Sequence, residues 1–315
     1  MSNSTTRSSR TITAFSQSKS SECRAGTMAR GLFFGLTTVD IFNLVPTHPA
    51  ANQKVKATRQ QFYAGGPAAN AAVAFASLGN EAHLYSGLGN HSLTRLAATD
   101  LQEHGVTLHD LASWGDEVPI ISSILIDASC GERCVIYTDP GRYRLVSQNS
   151  WDQLLDGCSV LLLDGFYLEL ALSLAQTARD KSIPTVLDGG SWKKGLERLL
   201  PFIDFAICSA DFMAPGCSDL TSTLSYLADM GISHNAVSRG SEPIVVYSDE
   251  KTYLLEVEPV DAADTLGAGD ILHGAFCHHI VSESFIRSLE LASRIASLSC
   301  CHFGTRDWIG HLHNQ

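Results

Sequence analysis

The chain has 315 residues, of which 44% are hydrophobic and 17% are charged, so it can bury a substantial core. Its 33 acidic and 22 basic residues give a net charge of −11, which argues against nucleic acid as the main partner, because phosphate backbones need a basic footprint. The sequence has no apolar run near the roughly 18 residues that a membrane span requires.

The first 30 residues differ in composition from the rest of the chain. Ser, Thr and basic residues dominate this segment, Glu22 is its one acidic residue, and apolar periodicity is missing. We therefore expect a disordered tail. The alternatives are an organelle transit peptide, which is also rich in Arg and Ser, and a start at Met28, just before the first strand-like run.

From residue 31 onward, short apolar runs alternate with amphipathic segments. The predicted strands cover residues 32–36, 82–85, 119–126, 134–137, 159–163, 185–187, 205–207, 235–238, 244–247 and 252–257. The predicted helices cover residues 67–78, 93–104, 168–179, 220–230, 268–281 and 284–300. The alternation over 159–238 predicts an α/β fold with right-handed crossovers on a mostly parallel sheet.

Two stretches interrupt this alternation with extended segments that have no helix between them. They predict a small antiparallel β lid, with strands within about 41–64 and 118–138. The body then covers residues 31–310, and residues 311–315 form a second short tail. An exposed lid edge invites pairing with another chain, so a homodimer through the lid is one expectation.

The nine cysteines point to a reducing compartment. Their number is odd, and neither a C-x-x-C pair nor a secretory signal accompanies them. Free thiols and a cytoplasmic location are therefore expected.

The segment over residues 261–276 carries the most informative motif, D-A-A-D-T-L-G-A-G-D-I-L-H-G-A-F. Gly267, Ala268 and Gly269 directly precede a helix, whose first amides lack internal partners and point outward. Such a helix start can bind a phosphate or stabilise a developing phosphoryl charge. Asp270, in the first turn, can accept a proton from a hydroxyl group beside it. A plain glycine-rich turn with an ordinary N-terminal aspartate is the structural alternative.

Two further motifs lie upstream. Gly65, Gly66 and Asn70 stand in A-G-G-P-A-A-N, and Asp40 closes G-L-T-T-V-D after the first predicted strand. Alone, G-G-P indicates only a turn and a helix start. Together with D-T-x-G-A-G-D-x-x-x-G-A-F, these motifs resemble the signatures of the ribokinase-like carbohydrate kinases, the PfkB family. The resemblance covers roughly residues 31–310 and is nearest in character to ketohexokinases and sulfofructose kinases.

The resemblance implies a ribokinase-like three-layer sandwich and transfer of the γ-phosphoryl group of ATP to a hydroxyl of a sugar. Asp270 would be the general base. The implied anion hole consists of the amides of Gly267, Ala268 and Gly269. The residues implied to hold the sugar are Asp40, Gly65, Gly66 and Asn70. The residues implied to contact the nucleotide are Ser238, Gly240, Ala292 and Ala296.

The resemblance also implies metal ions. Mg²⁺ would bridge the phosphates, and Asp264 and Thr265 lie where many relatives build a loop for a monovalent cation, so K⁺ is a candidate. The N-x-x-E motif of many relatives is missing after the strand over 205–207, where this chain reads C-S-A-D-F. Asp211 in this segment offers one carboxylate for Mg²⁺ through water.

Two alternatives stay open at the sequence level. The loss of N-x-x-E favours a catalytically weakened relative that binds a nucleotide or sugar and acts as a regulatory protein, whereas the intact Asp270 motif favours an active kinase. Arg133, beside the lid, is either a solvated charge or a contact to an anionic group on the substrate.

Overall fold

The computed structural model describes residues 13–14, 28–112, 115–138, 144–146 and 150–314. Its strands are β1 (Thr13–Ala14), β2 (Arg30–Phe34), β3 (Thr38–Val45), β4 (Arg59–Gly65), β5 (Glu81–Ser86), β6 (Val106–Asp110), β7 (Ile121–Asp127), β8 (Arg133–Tyr137), β9 (Val160–Leu163), β10 (Thr185–Gly189), β11 (Phe205–Ser209), β12 (His234–Arg239), β13 (Glu242–Ser248) and β14 (Lys251–Leu255). Its helices are α1 (Pro67–Ser77), α2 (Thr94–Glu103), α3 (Trp151–Leu154), α4 (Leu168–Asp180), α5 (Leu220–Asp229), α6 (Ala268–Ile280) and α7 (Phe285–Cys300). Short 3₁₀ segments cover Leu196–Arg198, Leu200–Phe202 and Asp307–Asn314.

The larger sheet has ten strands in the order β1–β14–β13–β12–β11–β10–β9–β2–β5–β6. Neighbouring strands run parallel, except that β13 is antiparallel to both β12 and β14. The predicted mostly parallel sheet is therefore confirmed. A parallel sheet needs a cover on both faces, because its strands are apolar on both sides.

Helices supply that cover. α1, α2, α6 and α7 build the core on one face, and α3, α4 and α5 build it on the other. Strand β9 shows how one strand serves both cores: Val160 and Leu162 join the first, while Leu161 and Leu163 join the second. The result is the three-layer sandwich that the family resemblance implies.

The smaller sheet has the order β4–β3–β7–β8. The pairs β3–β4 and β7–β8 are antiparallel, as expected of a lid made from two hairpins, and the two hairpins join along a parallel β3–β7 seam. Phe42, Tyr63, Ile124 and Ile126 on this sheet pack with Phe303 from the segment after α7. This contact fixes the lid to the helical layer beside the N-terminus of α6.

Some boundaries differ from the sequence prediction. The lid begins at Thr38, ahead of residue 41, because β3 continues directly from the turn after β2. Strand β6 was not predicted, since its five residues alternate between apolar and polar at the sheet edge. Residues 311–314, predicted as a tail, continue the last 3₁₀ segment. Of the predicted tail over 1–30, the described part is the strand Thr13–Ala14, which pairs with β14, and residues 28–30.

The eight cysteines in the described ranges are free thiols. Within the same ranges, no helix combines the length and the apolar character needed to cross a bilayer.

Helices α1 and α6 pack closely because Gly274 lies at their crossing. A Cβ atom at Gly274 would lie 2.2 Å from the backbone oxygen of Ala71 and 2.7 Å from Cβ of Ala74. Real Cβ atoms do not approach a backbone oxygen this closely, so any larger residue must push the two helices apart.

We predict that Gly274→Ala destabilises the protein by about 1–3 kcal/mol through overpacking, although the helix propensity of alanine is higher than that of glycine. Gly310→Ala is the matched control, because a Cβ there meets nothing within 4 Å. Denaturant unfolding monitored by circular dichroism measures both variants. Equal stability of the two variants would contradict the tight crossing.

Candidate active site

The N-terminus of α1 forms one wall of the site. Strand β4 ends at Gly65, and Gly66 then adopts φ 95°, a left-handed conformation that favours glycine. A Cβ at Gly66 would lie 2.4 Å from the backbone oxygen of Leu36, so the space is closed to any other residue. Pro67 opens the helix, and Asn70 in its first turn is 4% exposed. The G-G-P signal thus fixes where the side chain of Asn70 lies.

The N-terminus of α6 faces this wall. Gly267 caps the helix at φ 73°, and Asp270 lies in the first turn. Nδ2 of Asn70 donates a hydrogen bond of 2.8 Å to Oδ2 of Asp270. Two helix starts, 200 residues apart in sequence, therefore meet through one amide–carboxylate contact.

The surroundings of Asp270 make its carboxylate a base near neutral pH. Burial raises the pKa of Asp270 from 3.8 to about 7, and the nearby carboxylate of Asp188 adds to the rise. The hydrogen bond from Asn70 and the proximity of His273 act in the opposite direction and lower the pKa. A general base works best when its pKa lies close to the operating pH.

Asp40 on β3 supplies a second carboxylate. Its Oδ1 accepts a hydrogen bond of 2.5 Å from the hydroxyl of Thr38. Burial raises the pKa of Asp40 to about 6, while the hydroxyls of Thr38 and Ser122 lower it. Gly65 packs against this carboxylate, and a Cβ there would lie 1.9 Å from Oδ2 of Asp40. Gly65 therefore acts by leaving space for Asp40.

One cavity of about 210 Å³ joins these groups. Its polar floor contains Asp40, Asn70 and Asp270, and its upper walls are largely apolar. The lining residues are Leu36, Thr38, Asp40, Gly66, Pro67, Asn70, Ile120, Ser122, Ile124, Val135, Tyr137, Phe166, Leu266, Gly267 and Asp270. The structure thus brings together five of the predicted site residues, which come from β3, α1 and the start of α6: Asp40, Gly66, Asn70, Gly267 and Asp270.

Ala268 and Gly269 form the first turn of α6 beside this cavity. The amides of a first helical turn have no partner within the helix. A Cβ at Gly269 would meet nothing within 4 Å, so the outer side of the turn is open to a ligand. The amide of Ala268 donates a long hydrogen bond of 3.4 Å to the backbone oxygen of Thr265, and the anion hole at this helix start stays a prediction.

The predicted nucleotide contacts lie in separate elements. Ser238 is near the end of β12, and Gly240 follows it at φ 62° with open space around it. On α7, Ala296 is partly exposed, but Ala292 is fully buried in the core. The side chain of Ala292 therefore supports this helix from within and presents no surface to a nucleotide.

Arg133, Thr265 and Asp264 make contacts within the protein. Nη1 of Arg133 donates a hydrogen bond of 2.6 Å to the hydroxyl of Thr265, which ties the lid hairpin to the loop before α6. The carboxylate of Asp264 accepts hydrogen bonds of 2.9 Å from the amides of Leu266 and Gly304. The side chains predicted for K⁺ thus hold the loop, and Arg133 does not line the cavity.

The described residues contain no cluster of three or more His, Cys, Asp and Glu side chains that could hold a metal ion. Asp211 is exposed in the turn after β11. Mg²⁺ is often held by substrate phosphates with one or two carboxylates, and this sparse donor set fits that mode of binding.

Sequence reasoning missed Asp164, at the carboxyl end of β9. Its Oδ2 accepts a hydrogen bond of 2.7 Å from the amide of Leu36, and its Oδ1 accepts one of 3.0 Å from the amide of Phe166. Leu36 and Phe166 both line the cavity, so this buried carboxylate shapes the wall opposite α6. Its position after the apolar run V-L-L-L was the available signal.

His273 and Asp188 were also missed as members of the site. His273 lies one helical turn beyond Asp270 and is 4% exposed. Its Nδ1 lies 2.7 Å from the oxygen of Gly269 and 3.3 Å from Oδ2 of Asp188, and its Nε2 lies 2.9 Å from the oxygen of Ile207. Oxygen atoms therefore lie close to both ring nitrogens, and these contacts hold the imidazole in place between α6 and the sheet.

Comparisons with known proteins point to one family. The profile of the pfkB family carbohydrate kinases matches residues 28–309. An ATP-dependent ribose-1-phosphate kinase from Halopiger xanaduensis is 26% identical over 287 residues, which cover 89% of this chain and 94% of that protein.

Solved structures show the same fold. The Arabidopsis thaliana ribokinase complexed with ribose and ATP aligns with a TM-score of 0.68 and 20% identity, covering 88% of this chain and 94% of that chain. The adenosine kinase from Sinorhizobium meliloti aligns with a TM-score of 0.72 and 18% identity, covering 89% and 96%.

The raised pKa of Asp270 has a consequence for stability. Between about pH 4 and 7 the unfolded chain releases this proton while the folded protein keeps it, so the folded state loses stability as the pH rises through this range. We predict that Asp270→Asn, without substrates, is more stable than the wild type at pH 8 and that this gain shrinks towards pH 4.5. Urea unfolding at both pH values measures the difference.

Asp229→Asn is the control, because Asp229 is exposed at the end of α5. Its effect on stability should be small and equal at both pH values. A gain for Asp270→Asn that is equally large at both pH values would show that burial does not raise the pKa of this carboxyl group.

Proposed function

Because the chain belongs to the pfkB family of carbohydrate kinases, we propose that it transfers the γ-phosphoryl group of ATP to a hydroxyl group of a sugar or sugar derivative. Asp270 is the general base of this proposal, and the first turn of α6 is the anion hole. The relatives named above, which include kinases for ribose-1-phosphate, ribose and adenosine, support this class of acceptor.

One observation carries the proposal. Asp270 lies partly exposed at the start of α6 and lines the same cavity as Asp40 and Asn70. A base, an acceptor pocket and an anion-binding helix start are thus adjacent, which phosphoryl transfer to an alcohol requires. A purely binding relative would not need a carboxylate at this position.

The reaction follows from these positions. The acceptor hydroxyl lies in the cavity, and its oxygen attacks the γ-phosphorus as its proton passes to the carboxylate of Asp270. The bond between the γ-phosphorus and the bridging oxygen of the diphosphate breaks, and ADP leaves. The amides of Gly267, Ala268 and Gly269 face the charge that develops on the transferring group.

The cavity favours a compact, neutral acceptor. Its volume of about 210 Å³ lies below the roughly 300–1,000 Å³ of pockets for drug-sized ligands. Asp40 and Asp270 accept hydrogen bonds from hydroxyl groups, and two nearby carboxylates disfavour an anionic group on the same floor. Leu36, Ile120 and Phe166 provide apolar contact for the carbon face of a ring.

ATP approaches α6 from the side opposite the acceptor in this proposal, towards Ser238, Gly240 and Ala296. Mg²⁺, when bound with the nucleotide, neutralises charge on the phosphates. Asp211 is the exposed carboxylate that is proposed to reach Mg²⁺ through water. The proposal gives the side chains of Asp264 and Thr265 a structural role, because both are engaged within the protein.

The proposal also includes a homodimer, which the lid edge supports, and a cytoplasmic location, which the free thiols of the described residues favour. Strand β8 is the outer strand of the small sheet, and Val135, Ile136 and Tyr137 on it are 40%, 64% and 67% exposed. Among the described strands, β8 has a neighbour on one side only, and an apolar sheet edge favours pairing with a second strand.

We predict that Asp270→Asn lowers kcat by about 100-fold or more, with acceptor and nucleotide binding largely kept, because asparagine cannot accept the hydroxyl proton. An ADP-release assay over ketoses, pentoses, nucleosides and sugar phosphates identifies the acceptor, and calorimetry measures binding. Asp229→Asn is the control. Near-normal turnover of Asp270→Asn would contradict the base assignment.

In the wild type, kcat/KM should decrease as the pH falls below about 7, because Asp270 becomes protonated.

We predict that Asp40→Asn raises KM for the acceptor by about tenfold or more and changes kcat less, because a charge-assisted hydrogen bond to a substrate hydroxyl is weakened. The control is Asn43→Ala on the same strand, because Asn43 does not line the cavity; its side chain accepts a hydrogen bond from Gln60 and donates one to the backbone oxygen of Ile124. An unchanged KM in Asp40→Asn would remove Asp40 from the acceptor site.

A further inference from the structure

A buried ion pair lies directly behind the proposed active site. Arg306, in the segment after α7, is 5% exposed, and Asp100 on α2 is 7% exposed. Nη2 of Arg306 lies 2.8 Å from Oδ2 of Asp100, and Nε lies 3.2 Å from the same oxygen. A guanidinium in the interior must be paired and fully hydrogen-bonded to be tolerated.

The remaining donors of Arg306 reach two elements of the site. Nη2 donates a hydrogen bond of 2.7 Å to the backbone oxygen of Ala64 on the lid strand β4, whose amide donates one of 2.9 Å to Asp100. Nη1 donates hydrogen bonds of 2.9 Å to the hydroxyl of Thr305 and to Oδ1 of Asn70. The ion pair thus holds the end of β4 and the side chain of Asn70 in fixed positions relative to each other.

The contact to Asn70 decides which way its amide points. Oδ1 accepts from Arg306, so Nδ2 faces Asp270 and donates to its carboxylate. Rotating the amide by 180° would place an NH₂ group against a guanidinium and an oxygen against a carboxylate, which are both repulsive contacts. A cation on one side and an anion on the other therefore leave one orientation.

We propose that Arg306 is a positioning residue of the kinase, which orients Asn70 so that Asn70 donates to Asp270 and holds the general base in place. The inference rests on the proposed function. It extends the site to a residue that lines no part of the cavity.

The charged and titratable groups around Asp270 come from several elements. Asp188 on β10 and Asp40 on β3 raise its pKa, whereas His273 on α6 and the hydrogen bond from Asn70 on α1 lower it. Arg306 acts on Asp270 through Asn70. Losing the Asn70 hydrogen bond therefore raises the pKa of Asp270 further.

The main test is the double variant Asp100→Asn/Arg306→Gln. Removing the arginine alone would leave Asp100 buried without a partner and could prevent folding. The double variant removes one charge of each sign, so the net charge is unchanged, yet glutamine does not impose an orientation on Asn70. We expect a folded protein whose kcat at pH 7 is about tenfold lower. In its pH–rate profile, the fall of activity on the acid side (the acid limb) should lie about one pH unit higher than in the wild type.

Two further variants complete the comparison. Arg306→Lys keeps a cation beside Asn70 and should recover part of kcat and of the pH profile. Arg59→Gln is the matched control, because Arg59 on β4 also pairs with an aspartate, Asp307 of the final segment, at 2.7 Å, without contacting Asn70. Its profile should equal that of the wild type.

A measurement without turnover separates this inference from the proposed function. The loss of stability between pH 4.5 and 8, measured by urea unfolding without substrates, should be larger in the double variant than in the wild type. A folded double variant with unchanged kcat, acid limb and stability difference overturns the positioning role. A lower kcat with an unchanged acid limb and stability difference also overturns it, in favour of a structural role. Absence of turnover in the wild type with every acceptor counts against the proposed function, whereas the stability measurement still decides the role of Arg306.

Discussion

The partial desolvation of one carboxylate where two helix starts meet is the constraint on which the site depends. Asp270 needs a setting that is partly shielded from water to keep a proton affinity suited to neutral pH, and it needs a donor to hold its position. α6 supplies the setting and α1 supplies the donor, through Asn70. The close crossing of the two helices at Gly274 makes this possible, because it brings the two starts within hydrogen-bond distance. The contact between α1 and α6 therefore both packs the core and positions the residues of the site.

Local sequence signals predicted most of the fold and the centre of the site. The positions of Gly66 and Gly267 before helices follow from the conformations that only glycine adopts readily, so Asn70 and Asp270 could be placed in first turns without coordinates. The buried strands could be placed because their apolar runs are short and are bounded by turn residues. Edge strand β6 was not predicted, because the sequence of a half-polar strand of five residues resembles that of a loop.

The supporting residues could not be predicted because their partners are distant in sequence. Arg306 and Asp100 are separated by 206 positions, and neither lies in a recognisable motif. A single sequence shows that an arginine and an aspartate exist, and it does not show that both are buried against each other. Asp164 had a weak signal at the end of an apolar run, but its role comes from the amides of Leu36 and Phe166, which only the folded chain brings to it.

The buried charges around the cavity also explain why this region needs so many cross-links. Burial raises the pKa of Asp40, Asp164 and Asp270, so each carboxylate destabilises the folded protein when it ionises. Hydrogen bonds from Thr38, Leu36 and Asn70 offset part of that cost. The offset is incomplete by necessity, because a fully stabilised carboxylate would have too low a pKa to take a proton from an alcohol. Under the proposed mechanism a general base is therefore kept partly unsatisfied, and the proposal assigns the Asp100–Arg306 pair to holding it in place.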